Sequence, residues 1–583
     1  MITEDTSYHL KSFFPICYIA MSSIILFIGG LIGSLNAGVW TVFFFTAALL
    51  STIIYLVATR KISYKSLIPN SALIFFIISV IWLYWGTRNA AVIHTDDFSH
   101  WYKICKIMHY ESAFPTTPDL LFPSYIPGTA VWIYFITSII GFSPANCFFA
   151  QGLINIAALT SLFSLLDKMK GKTKLLAAIL LISSAITLCS VTETTYVLLV
   201  DVPLGLTTGA VLVMILSDAK RNMLFSISAA SVLTLIILIK VSGILFIVAG
   251  IFLLYINDRK RSIKTCITTS IFTAIAAISL PVLYLLRNNK YFGDLAETEQ
   301  GLSTSRFLSV YSSKTPENIK ETITYYIKTI FTMGFPSPQI LVIWAALFAL
   351  LIIFLISKHN KTSLVKENRT ILIFTAVILF IYWAALLATY LFSMSELEAN
   401  GEFLASFNRY NGTITIFVLF MLVRQTIRNT ELITKASTKS VIYIAASVTI
   451  LTIGITSFNF TYLLGSRKYI CDEKYYTSVP WDVCIANIPE IYEYNEDRYF
   501  VIYDESVFEN DFRNKLEWMM VTHLRSIHIR CIGMQDLING NISESNYNYL
   551  EDNDYIVAFG NDEFQNLLKQ YLPPDNYVYL NDM

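Results

Sequence analysis

Charge is what this 583-residue chain has least of: Asp, Glu, Lys and Arg supply 14% of its residues, hydrophobic residues 55%. So small a polar fraction excludes an ordinary soluble domain and a solvated disordered chain. The formal net charge is zero, so the basic excess that nucleic-acid binding demands is missing and no nucleic-acid partner is expected. Eight cysteines are scattered without metal-type spacing, which leaves no zinc-ribbon or disulfide-scaffold pattern. No nucleotide-binding glycine loop, internal repeat or low-complexity tract is visible. The first apolar stretch carries Lys11 as its one nearby cation and no small-residue cleavage site, so it reads as a retained helix rather than a cleavable signal.

Long apolar runs fill the chain instead, and the mean hydropathy is +0.56. A membrane-spanning helix needs about 20 mostly apolar residues. About thirteen segments qualify, at 13–33, 38–58, 69–87, 145–166, 175–193, 199–217, 223–239, 241–256, 264–286, 338–357, 371–393, 410–423 and 440–462. The expected fold class is therefore an all-α polytopic membrane protein, with the lipid bilayer as its first partner.

Short loops rich in Lys and Arg favour the cytoplasmic side. Alternate connections carry them: Arg60/Lys61/Lys65, Lys168 to Lys174, Lys220/Arg221, Arg259 to Lys264, Lys358 to Arg369 and Arg424 to Lys439. This pattern predicts a cytoplasmic N-terminus in a plasma membrane. It holds if the apolar piece 126–142 does not cross, and that piece is read as a helix at the outer interface. Two long outer loops follow, 88–144 and 287–337. In the first, Phe98, Trp101, Cys105 and Met108 alternate at helical spacing with Ser99, Lys103, Lys106 and His109, predicting an amphipathic interfacial helix. In the second, Thr315 caps a helix with Pro316 at its first position, and Ile319, Ile323, Ile327 and Ile330 mark one face.

The zero net charge hides an asymmetry. From Gly465 onward there are nine Lys and Arg against 21 Asp and Glu. Residues 465–583 are therefore expected to form an acidic, extracytoplasmic domain beyond a membrane part at 1–464. Strand-like runs at Tyr499–Tyr503, Ser526–Arg530 and Tyr555–Phe559 alternate with helix-like stretches at Asn510–His523 and Asp562–Tyr571, which suggests a small α/β fold. Cys471 and Cys484 lie in this region as a disulfide or as two free thiols.

Four constellations carry chemistry, and each has a structural counterpart. Asp96 and Asp97, directly after an apolar stretch, suit a general base and a neighbouring acid that orients it or holds a divalent cation; a solvated helix start is the counterpart. Asp201, in Val200-Asp201-Val202-Pro203, lies near the outer end of its span, where pairing with a buried cation is the counterpart. Lys240 stands between two tightly joined spans and suits a lipid phosphate, or snorkels to headgroups. Arg409, before Tyr410, offers forked hydrogen bonds to a phosphate, or anchors an interface. His94 and His100 flank the acids, within reach of a metal or as surface hydrogen-bonding residues. The topology puts all of these at one membrane face. Acids and cations around one outer cavity suit attack by a hydroxyl on a sugar carbon whose leaving group is a lipid phosphate.

In order and placement these residues resemble the C-type superfamily of integral-membrane glycosyltransferases, which includes protein O-mannosyltransferases and the lipid A aminoarabinose transferase. The likeness covers roughly residues 69–425. It rests on the acidic pair Asp96-Asp97, the turn Tyr125-Ile126-Pro127-Gly128 before an interfacial helix, Asp201 before Pro203-Leu204, Lys240 between joined spans and Arg409-Tyr410. Ile126 replaces the family's first proline, two spans precede the one leading into the acidic loop, and the tail has no counterpart. The resemblance implies a polyprenyl-phosphate-linked sugar as donor and a cell-envelope glycan, lipid or protein as acceptor. Under it Asp96 becomes the catalytic base and Asp97 its acidic neighbour, Lys240 and Arg409 the donor phosphate ligands, and Asp201, His100 and Tyr125 further cavity residues. A divalent cation on Asp97 is the one cofactor this pattern allows. A transporter or flippase of lipid-linked precursors would use the same charges along a translocation path, and an assembly partner would use its exported tail.

Overall fold

A computed structural model describes residues 11–88, 96–116, 122–190, 197–259, 262–292, 304–331 and 337–436, the single positions 90, 92, 94 and 566, and the short segments 498–503, 528–535, 555–559 and 577–580. Sixteen α-helices order the described membrane part. They are α1 Phe14–Leu31, α2 Leu35–Ala58, α3 Ser71–Thr87, α4 Tyr102–Glu111, α5 Gly128–Ile140, α6 Pro144–Thr160, α7 Gly171–Ser190 and α8 Asp201–Ile215, followed by α9 Met223–Ile239, α10 Ile244–Asp258, α11 Ile263–Phe292, α12 Thr304–Ser313, α13 Pro316–Phe331, α14 Pro338–His359, α15 Val365–Phe392 and α16 Phe407–Ala436. Starts are set locally. Ser34, Asn70, Ser143 and Asn222 cap α2, α3, α6 and α9 through their side-chain oxygens, and Pro144 and Pro338 open α6 and α14, where a missing N–H costs nothing.

Among the described residues, nine helices are long and apolar enough to cross a membrane, α6 and α10 counting together with the 3-10 turns that extend them to Pro144–Asp167 and Val241–Asp258. The membrane-embedded part of the protein is thus all-α and polytopic. Three further expected spans, α3, α8 and α9, are helices of 15 to 17 residues, shorter than the run a hydrocarbon core of about 30 Å asks for. The helix α5 has 13 residues, and at about 1.5 Å per residue it too falls short of a span. The expected span 440–462 lies outside the described residues.

Burial divides the bundle into a centre and a rim. The helices α6, α8, α9 and α16 are covered on nearly all sides. By contrast α2, α3, α11 and α14 expose Trp40, Phe44, Ile78, Ile81, Ile275 and Phe348, an outward apolar surface that lipid can cover and water cannot do so cheaply.

Two helical faces differ from expectation. The π-turn Asp97–Trp101 and α4 form where an amphipathic helix is expected, but Lys103 and Lys106 are buried along with Ile104 and Met108. Neighbouring helices cover both sides, so the lysine stems take part in the packing. In α13 the residues turned inward are Asn318, Thr322, Tyr326 and Thr329, together with Ile330, whereas Ile327 is exposed and Ile319 and Ile323 are half-buried. Polar contacts explain this: Thr322 donates to the Ala399 carbonyl at 2.6 Å and Tyr326 to the Trp383 carbonyl at 2.7 Å. The helix α11 also runs past its apolar stretch into the second loop, because Arg287 donates to the Phe114 and Pro115 carbonyls at 2.7 and 3.0 Å.

In the tail, four strands form one parallel sheet: β1 Arg498–Tyr503, β2 His528–Gly533, β3 Tyr555–Phe559 and β4 Tyr577–Leu580, in the order β2-β1-β3-β4. β1 and β3 fall where alternation places strands, β2 starts two residues later than expected, and β4 has no sequence forecast. More than a dozen residues separate each strand from the next, the length a parallel crossover requires. The helix-like stretches 510–523 and 562–571 and both Cys471 and Cys484 lie outside the described residues.

Candidate active site

Close helix packing assembles the site. Gly205 and Gly209, one turn apart on α8, face α16: a Cβ on Gly205 would stand 2.9 Å from the Thr413 carbonyl oxygen, and one on Gly209 2.3 Å from the Phe420 ring. Small residues at this spacing let two membrane helices approach to backbone contact. One turn before Gly205 is Asp201, and one turn before Thr413 is Arg409. The same contact therefore brings a carboxylate and a guanidinium together, with Arg409 Nε 3.6 Å from Asp201 Oδ2. Thr413 adds a hydrogen bond from its hydroxyl to the Asp201 carbonyl at 3.2 Å.

Lys240 enters from the end of α9. It is the C-cap residue, in extended conformation with φ −158° and ψ 136°, and its Nζ reaches Asp201 Oδ1 at 2.8 Å. One buried carboxylate thus holds an ammonium on one oxygen and a guanidinium on the other. Both cations also lie against the Tyr410 ring, at 4.8 and 5.1 Å from its centroid, where its quadrupole favours positive charge.

The turn Tyr125-Ile126-Pro127-Gly128 abuts the end of α9. A Cβ on Gly128 would fall 2.1 Å from the Leu238 carbonyl oxygen, so only glycine permits this approach. From α11, Tyr284 and Asn288 donate to the Pro123 carbonyl and fasten the same turn. Tyr125 stacks between Trp101 and Phe122, with centroids at 5.7 and 4.9 Å, and His100 meets its ring edge-on at 5.2 Å. Burial pushes the Tyr125 phenol pKa up, with Tyr410, Asp201 and Asp96 adding to the rise and Arg409 opposing it.

Asp96 completes the row by contact of its Oδ2 with Arg409 Nη1. The resulting sequence of charges is Asp96, Arg409, Asp201, Lys240, alternating in sign. Asp201 is buried, while the other three side chains keep 26% to 40% exposure, so the row is open to a solute at one flank. The backbone under Arg409 is fixed from α15, where Tyr382 donates to the Tyr410 carbonyl at 2.7 Å, Trp383 to Asn411 Oδ1 at 3.0 Å and Tyr390 to the Ala405 carbonyl at 2.8 Å.

Asp97 stands apart from the row. Its side chain is fully buried and both oxygens face the Leu198 N–H, at 3.0 and 3.1 Å. Burial raises its carboxyl pKa well above the usual range; the Leu198 hydrogen bond opposes that rise and Asp96 adds to it. His100 is equally buried, neither ring nitrogen has a hydrogen-bond partner among the described residues, and burial lowers its pKa to about 3, with Lys103 contributing. His94 Nδ1 accepts from the Asp96 N–H at 3.2 Å. No three His, Cys, Asp or Glu side chains assemble among the described residues in a way that would hold a metal ion.

Of the seven residues singled out by sequence, the structure brings Asp96, Asp201, Lys240, Arg409 and Tyr125 together, puts His100 behind Tyr125 and turns Asp97 inward. Sequence reasoning missed Gln151, whose Nε2 donates to the Val197 and Leu199 carbonyls at 3.0 and 3.2 Å, and the pair Gly205 and Gly209. A lone amide in an apolar run and a four-residue glycine spacing were the signals. Comparison with protein-family models, with curated proteins and with solved structures returns no match.

Proposed function

We propose that the chain is a membrane glycosyltransferase that moves a sugar from a polyprenyl-phosphate donor to a cell-envelope glycan, lipid or protein on the outer face of a plasma membrane, in the manner of the C-type superfamily it resembles. One observation carries this reading: an accessible carboxylate, Asp96, touches a guanidinium that is itself joined through Asp201 to an ammonium. Glycosyl transfer to a hydroxyl needs a base on one side of the anomeric carbon and positive charge on the other.

In this mechanism the donor phosphate takes hydrogen bonds from Arg409 and Lys240, while Asp201 holds both cations in place. Phosphate binding draws Arg409 away from Asp96, which is then free to meet the acceptor hydroxyl. Asp96 removes the hydroxyl proton as the new carbon–oxygen bond forms. The bond from the anomeric carbon to the phosphate oxygen breaks with its electron pair, and the departing polyprenyl phosphate carries charge that the two cations offset. Tyr125 borders the acceptor side. No step is routed through a divalent cation. In this reading the acidic tail, 465–583, lies on the same outer side.

The test compares envelope glycans and lipids from cells with the gene, without it, and with Asp96→Asn. A sugar substituent lost in the last two supports the reading, and unchanged envelopes refute it. A second reading, a transporter of lipid-linked precursors, draws on the full pairing of every cation in the row with an acid. It predicts translocation of a lipid-linked precursor across reconstituted vesicles that weakens in Asp96→Asn, with no sugar transferred.

A further inference from the structure

Asp97 and Gln151 have no part in the row of charges, yet both hold the strand of chain that leads into it. Residues 197–200 are the last before Asp201 opens α8. On one side of this segment the Leu198 N–H is taken by Asp97, at 3.0 and 3.1 Å; on the other, Gln151 from α6 donates to the carbonyls of Val197 and Leu199 at 3.0 and 3.2 Å. Three successive residues thereby have a backbone group tied to a buried side chain. Val200 and Asp201 follow, and the Asp201 carboxylate sets the spacing of Lys240 and Arg409.

We propose that Asp97 and Gln151 are positioning residues, a two-sided clamp on 197–199 that fixes where the Asp201 carboxylate stands and hence the separation of the two phosphate-binding cations. This deepens the transferase reading and rests on it. Adjacency in sequence makes Asp97 look like a twin of Asp96, but the π-turn sends the two side chains in different directions: Asp96 to Arg409 at the accessible flank, Asp97 into the core. The wide turn has a geometric use. A π-turn places about 4.4 residues in each rotation rather than 3.6, which re-aims successive side chains and is a common device at functional sites. What Asp97 supplies is a hydrogen-bond acceptor for a buried N–H, which would otherwise be left unpaired at the mouth of α8. An amide oxygen can serve in its place, whereas a methyl group cannot.

The discriminating set is Asp97→Asn, Asp97→Ala, Gln151→Leu and the double variant Asp97→Ala/Gln151→Leu, each purified in detergent and titrated with a polyprenyl phosphate, and each expressed in cells lacking the gene for analysis of the envelope sugar. Asp97→Ala and Gln151→Leu are expected to weaken polyprenyl-phosphate binding about threefold to tenfold, the range of one lost hydrogen bond, and the double variant to lose less than the product of the two. Asp97→Asn is expected to restore both binding and the envelope sugar. The proposal is overturned if Asp97→Asn abolishes the sugar as completely as Asp96→Asn does, or if Asp97→Ala or Gln151→Leu binds like wild type. Should Asp97→Ala not fold, Asp97→Asn and Gln151→Leu decide by the same criteria. Failure of the wild-type protein both to bind a polyprenyl phosphate and to restore any envelope sugar refutes the transferase reading instead.

Discussion

Replacing Asp96 by Asn separates the two jobs the row of charges performs. The side chain stays nearly the same size but can no longer accept a proton, and it no longer holds Arg409 by charge. Loss of a general base lowers transfer by about 10²- to 10⁴-fold. Donor binding moves the other way. Asp96 is 40% exposed and Arg409 26%, so their attraction is screened by water and belongs with pairs worth about 0.5 to 1 kcal/mol. A phosphate arriving at Arg409 has to displace that contact. Removing it beforehand leaves Arg409 held by Asp201 at 3.6 Å and lets the phosphate bind about two- to fivefold more tightly. Two assays check this: titration of detergent-solubilised protein with a polyprenyl phosphate, followed by tryptophan fluorescence, and analysis of the envelope sugar in complemented cells. Weaker binding by Asp96→Asn, or near-normal transfer, would refute the reasoning that Asp96 is both the base and the competitor for Arg409.

Other consequences follow from the same geometry. Lys240→Ala removes the ammonium 2.8 Å from Asp201 and should raise the dissociation constant for a polyprenyl phosphate while leaving the acceptor constant alone; a change confined to the acceptor would count against the phosphate role. Gly128→Ala puts a methyl group 2.1 Å from the Leu238 carbonyl and should cost about 1 to 3 kcal/mol, read as a lower midpoint of thermal unfolding in detergent. Gly205→Val and Gly209→Val, acting at the contact between α8 and α16, should lower that midpoint and donor affinity together, because the packing and the Arg409–Asp201 approach share one interface. For His100 the folded pKa of about 3 lies below the ordinary histidine value of 6.5. The unfolded chain then binds the proton more readily, so His100 lowers stability as pH falls from 6.5 toward 3, by up to about 1.4 kcal/mol per pH unit. His100→Phe should flatten that part of the stability–pH curve relative to wild type, and equal slopes for the two proteins would show that His100 is not buried in neutral form.

The site was legible in the sequence to the extent that its members are charged residues in apolar surroundings. Asp201, Lys240 and Arg409 stand out because an ionisable group beside hydrocarbon needs a reason, and all three lie within 4 Å of a partner. Spacing along the chain said nothing about which way a side chain turns: the resemblance cast Asp96 as the base and Asp97 as its acidic neighbour, but nothing in the sequence indicated that Asp97 turns away from the row toward the Leu198 N–H. The π-turn that separates them depends on what surrounds it. The inward face of α13 went the same way. An isoleucine stripe marks it as amphipathic, but which stripe turns inward is decided by hydroxyl groups finding carbonyls at Ala399 and Trp383.

By itself, the amino-acid sequence determined that this protein lives in a membrane and that its apolar runs are helical, because a run of apolar residues can satisfy its backbone in lipid only by coiling on itself. Tertiary structure alone decided that Asp96, Arg409, Asp201 and Lys240 form a single row. They come from four helix ends separated by up to 313 positions in the chain, and what joins them is the approach of α8 to α16 across two glycines and of a turn to α9 across a third. Those contacts are set by shape between distant segments, and no local pattern encodes them.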